Sequence, residues 1–214
     1  MQPLPGARVL TVDAHHHLWE NPPAYAWLDD DRMRSVRRPF TVAQWQAQLR
    51  SAQVDYSVLV EGGRCDEAES DDLLRWAAEA PQIAGVVLWA DLTGPGLAAR
   101  ITRHLRRFGG ERVVGVRAQI QAEPDPNYLD RPDVRHGLCV VAGRAADLRP
   151  FVREAIVRFG PERLMFGSDW PVCLLAGSYG RIRAALHQVL PPLTEAASQA
   201  IFGGTAARVY QLAV

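Results

Sequence analysis

The chain has 214 residues, with 24 Lys and Arg balanced by 24 Asp and Glu, so its formal net charge is zero. With 48% hydrophobic and 22% charged residues it has the composition of an ordinary globular domain, long enough for one substantial core. That balance speaks against nucleic acid or an anionic membrane as partner. The three scattered cysteines, Cys65, Cys139 and Cys173, speak against a disulfide framework or zinc knuckle, and no apolar run is long enough for a membrane span.

The opening MQPLPGARVL lacks a cationic segment followed by an apolar run. No signal peptide is expected, and the cytoplasm is the expected compartment. Val9–Asp13 is the first short apolar run and reads as a buried strand. The irregular stretch Glu20–Pro39 follows it, with Pro22, Pro23, Trp27, the acids at 29–31 and Arg32, Arg34, Arg37 and Arg38. It reads as a lid or substrate wall, or as a solvated loop anchored by Trp19 and Trp27. Thr41–Ala52 opens with Thr41 and has Gln44 three residues on, a capping box, and Val42, Trp45 and Leu49 then recur at helical spacing.

Val54–Val60 reads as the second strand, Asp71–Ala80 as a helix stopped by Pro81, and Ile83–Asp91 as the third strand. Gly96–Phe108 places Leu97, Ile101, Leu105 and Phe108 along one stripe before Gly109-Gly110. Further strands are expected at Val113–Ile120, Leu138–Val141 and Leu164–Phe166. Helices are expected at Pro150–Phe159, Tyr179–Leu190, Thr194–Phe202 and Thr205–Tyr210. Most of these apolar runs lack in–out alternation, as strands of a parallel sheet covered by helices do. The class is therefore α/β. Only six strands are counted, and a closed eight-stranded barrel usually takes about 250 residues.

Three places carry chemistry. If the first strand continues through Asp13-Ala14-His15-His16-His17, residues 13, 15 and 17 share a face, and His16 opposes them. Two imidazoles on one face begin a divalent metal site, or they bind a substrate oxygen directly, or they simply cap a loop. Asp169, in Gly167-Ser168-Asp169-Trp170-Pro171, stands just beyond an apolar run. A carboxylate there can ligate a metal, take a proton from water, or close an Asx-turn. Arg117 ends the fourth strand, where its planar fork suits a carboxylate or hydroxyl-rich ligand or a rim salt bridge. His104 and His187 read as packing or surface residues, and no role is assigned to His136. Cys65 has no evident base partner. The turns GGRCDE and FGGTAAR lack phosphate-binding spacing.

VDAHHHLW, VVGVRAQIQAEPDPNYLDRPDV and FGPERLMFGSDWPVC resemble the amidohydrolase-related family of the metal-dependent hydrolase superfamily. The resemblance lies with the branch of L-fuconolactonase, L-rhamnonolactonase and the 2-pyrone-4,6-dicarboxylate lactonases, and it runs from Val9 to GGTAARVY at 203–210. It implies a TIM-barrel-like (β/α)8 fold and a lactonase of carbohydrate metabolism, acting on a small sugar-acid or dicarboxylate lactone. His15 and His17 match the family's H-x-H, and Asp169 matches the water-activating aspartate after the last strand. Arg117, with Gln121, Trp19 and Trp170, then falls to substrate binding. Metal use varies among such lactonases, so the expectation is one divalent ion, zinc or manganese, on His15, His17 and Asp169, or none.

The resemblance also implies a defect. RPDVRHGL runs almost directly into CVVAGRAADLRPF, which is similar to the family's seventh-strand segment. The match implies that about two β/α units, and with them the relatives' histidine of the type D-H, are missing near 137–139. The expected result is a single domain over 1–214 whose barrel is incomplete or distorted, with strand edges that a homo-oligomer would cover. A degenerate, non-catalytic domain and an amidohydrolase-fold decarboxylase are the alternatives.

Overall fold

The computed structural model describes residues 10–91, 93, 97–119, 124, 125, 127, 128, 131, 155–175 and 177–214. Four strands, β1 (Val12–His16), β2 (Tyr56–Val60), β3 (Ile83–Trp89) and β4 (Val113–Arg117), form a parallel sheet in the order β1-β2-β3-β4. Helices α1 (Val42–Ala52), α2 (Glu67–Glu79) and α3 (Leu97–Leu105) connect them in turn. The chain is thus a run of β/α units, with strand C-termini gathered at one end of the sheet.

The expected capping box forms. The Gln44 N–H donates to Thr41 Oγ1 at 3.4 Å, and the Thr41 N–H donates to Gln44 Oε1 at 2.9 Å. Trp45 and Leu49 of α1 are buried with Trp19, Phe40, Leu59, Leu73, Trp76, Ile83 and Trp170 in the largest core cluster. Full burial of an aliphatic side chain such as Leu59 or Ile83 contributes about 1.5–3 kcal/mol.

Several boundaries differ from those expected. Helix α2 starts at Glu67 rather than Asp71, because the Asp66 carboxylate accepts the Glu69 N–H at 2.8 Å and caps a first turn that has no apolar stripe. Helix α3 ends at Leu105, and its stripe does not face a core: Leu105 and Phe108 are exposed, while His104 is buried. His104 turns inward because its Nε2 lies 2.8 Å from Glu67 of α2. Residues 155–159 are helical, and the rest of the helix expected at 150–159 lies outside the described residues. So do the strand expected at 138–141, Gln121, His136 and Cys139.

Leu164–Phe166 is not a regular strand. The Phe166 carbonyl accepts the Ala14 N–H at 2.8 Å, but the Phe166 N–H donates to Ile201 O in the turn Ala200–Gly204. Beyond it, Asp169 N donates to His15 O at 2.8 Å and His17 N to Trp170 O at 2.5 Å. Residues 164–170 therefore run parallel to the outer edge of β1, sharing their bonds between two partners.

Among the described residues no strand lies beyond β4, all five of whose residues are half-buried, whereas β1, β2 and β3 are largely buried. The architecture is an α/β layer of parallel strands flanked by helices, a partial barrel among these residues and not a closed eight-stranded one. None of the described helices is long and apolar enough to cross a membrane.

Residues 20–39 are pinned down. They carry three short 3-10 turns, at Pro22–Ala24, Ala26–Asp29 and Asp31–Met33, and bury Tyr25, Leu28 and Val36. Trp19 Nε1 donates to Arg38 O at 2.9 Å, and Trp27 Nε1 to Gly62 O at 2.8 Å. The two tryptophans anchor the segment as a wall over the strand ends.

Candidate active site

Strand β1 carries the histidines to its C-terminal end. His15 and His17 project together: their Nε2 atoms are 3.2 Å apart. His16 points the other way, stacked on Trp45 with ring centroids 4.8 Å apart and with its Nε2 2.8 Å from Ser57 Oγ. A register shift lies between Asp13 and His16, so Asp13 does not join the histidines although the alternation puts it on their face.

Asp13 instead builds the opposite wall. Fully buried, its Oδ1 accepts the Ser168 N–H at 2.8 Å and the His15 N–H at 3.2 Å. Its Oδ2 accepts the Ser168 hydroxyl at 2.5 Å and the Tyr179 hydroxyl at 2.9 Å. Burial pushes the Asp13 carboxyl above its ordinary value, against the pull of these bonds. This one side chain fixes the 167–170 turn against β1 and holds Asp169 opposite the histidines.

Asp169 has φ 55, in the left-handed region, which aspartate tolerates better than most residues. Its Oδ1 lies 3.0 Å from His17 Nε2 and 3.6 Å from His15 Nε2. His17 Nδ1 lies 2.9 Å from Val60 O. Since a carbonyl only accepts, Nδ1 carries a proton; Nε2 then donates to Asp169 while the ring is charged and offers a lone pair to the cleft when it is neutral.

Burial above all, then the positive charges of His17 and Arg117, push His15 down to about 3, with Asp169 opposing. Burial raises the Asp169 carboxyl, but the His17 hydrogen bond and the charges of His17, His15 and Arg117 outweigh it, and its pKa falls below the ordinary value. A neutral imidazole beside an ionised carboxylate is the state in which these side chains act as ligands.

The donor atoms of His15, His17 and Asp169 all lie within 4.8 Å of one another. Two imidazole nitrogens and one carboxylate oxygen, with one imidazole held by a backbone carbonyl behind it, fit a divalent ion such as zinc.

The other expected site residues are placed as follows. Arg117 ends β4, and its Nε donates to Glu61 Oε1 at 2.6 Å. Its charge bears on both His15 and Asp169. Trp19 and Trp170 are 0% and 2% exposed; their rings pack against Phe40 beneath the cleft and present no surface to it. Burial pushes the thiols of Cys65 and Cys173 up to about 11 and about 12, away from the thiolate form that attacks.

The sequence reading missed Glu61 and Glu69. Glu61 follows β2 directly and is fully buried, its Oε2 accepting the Gly63 N–H at 2.8 Å. Glu69, also fully buried, accepts N–H bonds from Gly62 at 2.6 Å, Arg64 at 3.0 Å and Cys65 at 3.3 Å. Burial first, and then the charge of Glu61, raises its carboxyl to about 7. The strand-end position that singles out Arg117 and Asp169 also singles out Glu61. Glu69 has no such signal, since it sits in the charged first turn of α2.

Comparison with known proteins identifies the frame. The family model described as Amidohydrolase matches residues 12–144 and 141–212. L-fucono-1,5-lactonase of Burkholderia multivorans is 27% identical over 291 aligned positions, covering 95% of this chain and 96% of the relative. That alignment is longer than the 214-residue chain, so part of the relative has no counterpart here. A crystal structure of an amidohydrolase from Burkholderia multivorans with bound zinc superposes with a TM-score of 0.81 at 26% identity, over 95% of this chain and 99% of that one. 2,6-Dihydroxybenzoate decarboxylase shares the fold alone, with a TM-score of 0.66 at 11% identity over 94% of this chain and 98% of that one.

Proposed function

Because this chain belongs to the amidohydrolase family, we propose that it is a hydrolase that opens a small lactone of a sugar acid or dicarboxylate at the C-terminal end of its sheet. The observation that carries the reading is the convergence of His15, His17 and Asp169, with Asp169 Oδ1 3.0 Å from His17 Nε2. In this reading His15 and His17 with Asp169 would hold one divalent ion, zinc or manganese, which would supply Lewis-acid polarisation of the carbonyl. The relative of known activity is a lactonase, and its fold neighbour from Burkholderia multivorans binds zinc.

The residues divide the work. Asp169, ionised and half-exposed at the cleft, removes a proton from the attacking water as it adds to the lactone carbonyl. His15 and His17, whose Nε2 atoms lie 3.2 Å apart at the cleft, are the imidazole ligands of that site and would keep its charge beside the carbonyl oxygen. Arg117 orients the polar end of the substrate, with Gln121 assigned the same task from the sequence. The ring oxygen departs as a hydroxyl, protonated by the proton Asp169 took up. A second copy of the chain covers the edge of β4, beyond which no strand lies among the described residues, and neither nucleic acid nor membrane has a part.

The test is hydrolysis of a panel of aldonolactones and 2-pyrone-4,6-dicarboxylate by purified protein, with Asp169→Asn alongside. Saturable turnover that falls by at least ~10²-fold in the variant supports the reading. Turnover equal to the variant's leaves a degenerate domain. Release of CO2 from an aromatic acid without ring opening replaces the lactonase with a decarboxylase.

A further inference from the structure

Glu61 and Arg117 come from the C-terminal ends of β2 and β4. Neither oxygen of the Glu61 carboxylate is free: Oε1 takes Arg117 Nε at 2.6 Å, and Oε2 takes the Gly63 N–H at 2.8 Å. The Arg117 guanidinium is gripped on two nitrogens, Nε by Glu61 and Nη2 by Gln119 Oε1. It remains 23% exposed, while Glu61 is 0% exposed. Arg64, in the turn after β2, donates to Asp66 at 2.8 Å and lies 3.6 Å from Asp72. Each of these cations therefore has a carboxylate beside it.

A free guanidinium in a cleft is a carboxylate receptor, because its fork offers two parallel N–H donors and an unbalanced charge. Arg117 keeps donors, but its charge is balanced by a buried neighbour at contact distance. A substrate carboxylate approaching it would also meet Glu61, with Asp169 across the cleft. A neutral hydroxyl or carbonyl oxygen takes the same N–H bonds without that repulsion.

We propose that Glu61 is a specificity-determining residue: by neutralising Arg117 it makes the site select uncharged lactones and reject carboxylated ones. The inference rests on the lactone-hydrolase reading. Glu61 touches neither substrate nor reacting atoms and acts through Arg117 alone. A merely structural ion pair would affect all substrates alike, whereas a charge filter moves their ratio.

The experiment compares kcat/KM for an aldono-1,4-lactone with that for the aldaro-1,4-lactone that differs only by a terminal carboxylate. Wild type favours the neutral lactone. Glu61→Gln, which frees the charge of Arg117, shifts the ratio at least tenfold toward the carboxylated lactone. Arg117→Gln leaves Glu61 unbalanced and shifts it at least tenfold the other way. The double variant returns to within about threefold of wild type, and Glu61→Asp, which keeps the charge, stays there too. If Glu61→Gln does not fold, the Arg117→Gln shift and the constancy of Glu61→Asp still decide. Equal losses on both substrates in the folded variants, or a wild type that prefers the carboxylated lactone, overturn the charge filter and leave the lactonase intact. A wild type that opens neither lactone overturns the lactonase reading and this inference with it.

Discussion

Replacing Asp13 tests whether the site is built on hydrogen-bond accounting. The side chain is fully buried and accepts four bonds. Two of them, at Oδ1, come from backbone N–H groups of Ser168 and His15, which can only donate. The other two, at Oδ2, come from the hydroxyls of Ser168 and Tyr179, which can donate or accept. Asp13→Ala strands both N–H groups and loosens both hydroxyls. At about 1–3 kcal/mol per stranded buried donor, with partial relaxation, the cost is about 3–5 kcal/mol, in the exceptional tail of single substitutions. Asp13→Asn keeps an oxygen at the Oδ1 position and puts an NH2 where two hydroxyls can turn to accept it, so it costs under about 1.5 kcal/mol. Urea denaturation at fixed pH measures both. Equal losses in the two variants would mean that the charge and not the bonding pattern holds the turn, and a loss below about 1 kcal/mol in Asp13→Ala would refute the account. The pH dependence has a fixed sign. Burial raises the native pKa of Asp13 above its ordinary 3.8, so its contribution is complete below the unfolded value and is lost as pH rises through the native one. The stability of wild type relative to Asp13→Asn therefore falls with rising pH across that window.

Other expectations follow from the same contacts. A Cβ at Gly167 would lie 2.7 Å from His15 Cβ and 3.3 Å from His15 N, so Gly167→Ala displaces His15 and weakens zinc binding at least tenfold. Calorimetric titration with zinc checks this, and unchanged affinity would count against His15 as a ligand. His17→Ala removes the donor that Val60 O orients and costs at least ~10²-fold in zinc affinity, measured by competition with a chelating dye. Glu69 has a native pKa of about 7 against an ordinary 4.5. The stability it contributes is complete below about 4.5 and is lost as pH rises through about 7. Wild type should lose stability relative to Glu69→Gln between pH 5 and 8 in urea titrations, and parallel pH profiles would contradict the assignment.

What the sequence disclosed and what it withheld divide along a physical line. Local rules were legible. The capping box of Thr41 and Gln44, the opposition of His16 to His15 and His17, and the parallel α/β order each depend on residues within a turn or a strand of one another. The start of α2 was misplaced because Asp66 caps it from outside the apolar stripe, and the outward face of α3 was missed because His104 is drawn inward by Glu67, a residue 37 positions away. The partners of Asp13 lie 155 and 166 positions down the chain, and no periodicity encodes such pairs. The bulge that separates Asp13 from the histidine face is likewise a property of the β1–β2 pairing, not of β1.

The same distinction bears on how a shortened barrel keeps a cleft. The histidine pair and Asp169 meet across β1 and the segment that runs along its outer edge, the junction where the chain's first and last described strand segments adjoin. Glu61 follows β2 and Arg117 ends β4, on the other side of β1. Every one of these residues lies in the first four β/α units or in the returning segment at 164–170, and so do their side-chain partners among the described residues. Among the described residues, every contact that aligns Asp169 with His17 comes from β1, the end of β2 or residues 164–179. The five half-buried residues of β4 have no strand beyond them among the described residues. Among the described residues, alignment of the acid–imidazole trio therefore draws on no strand beyond β4.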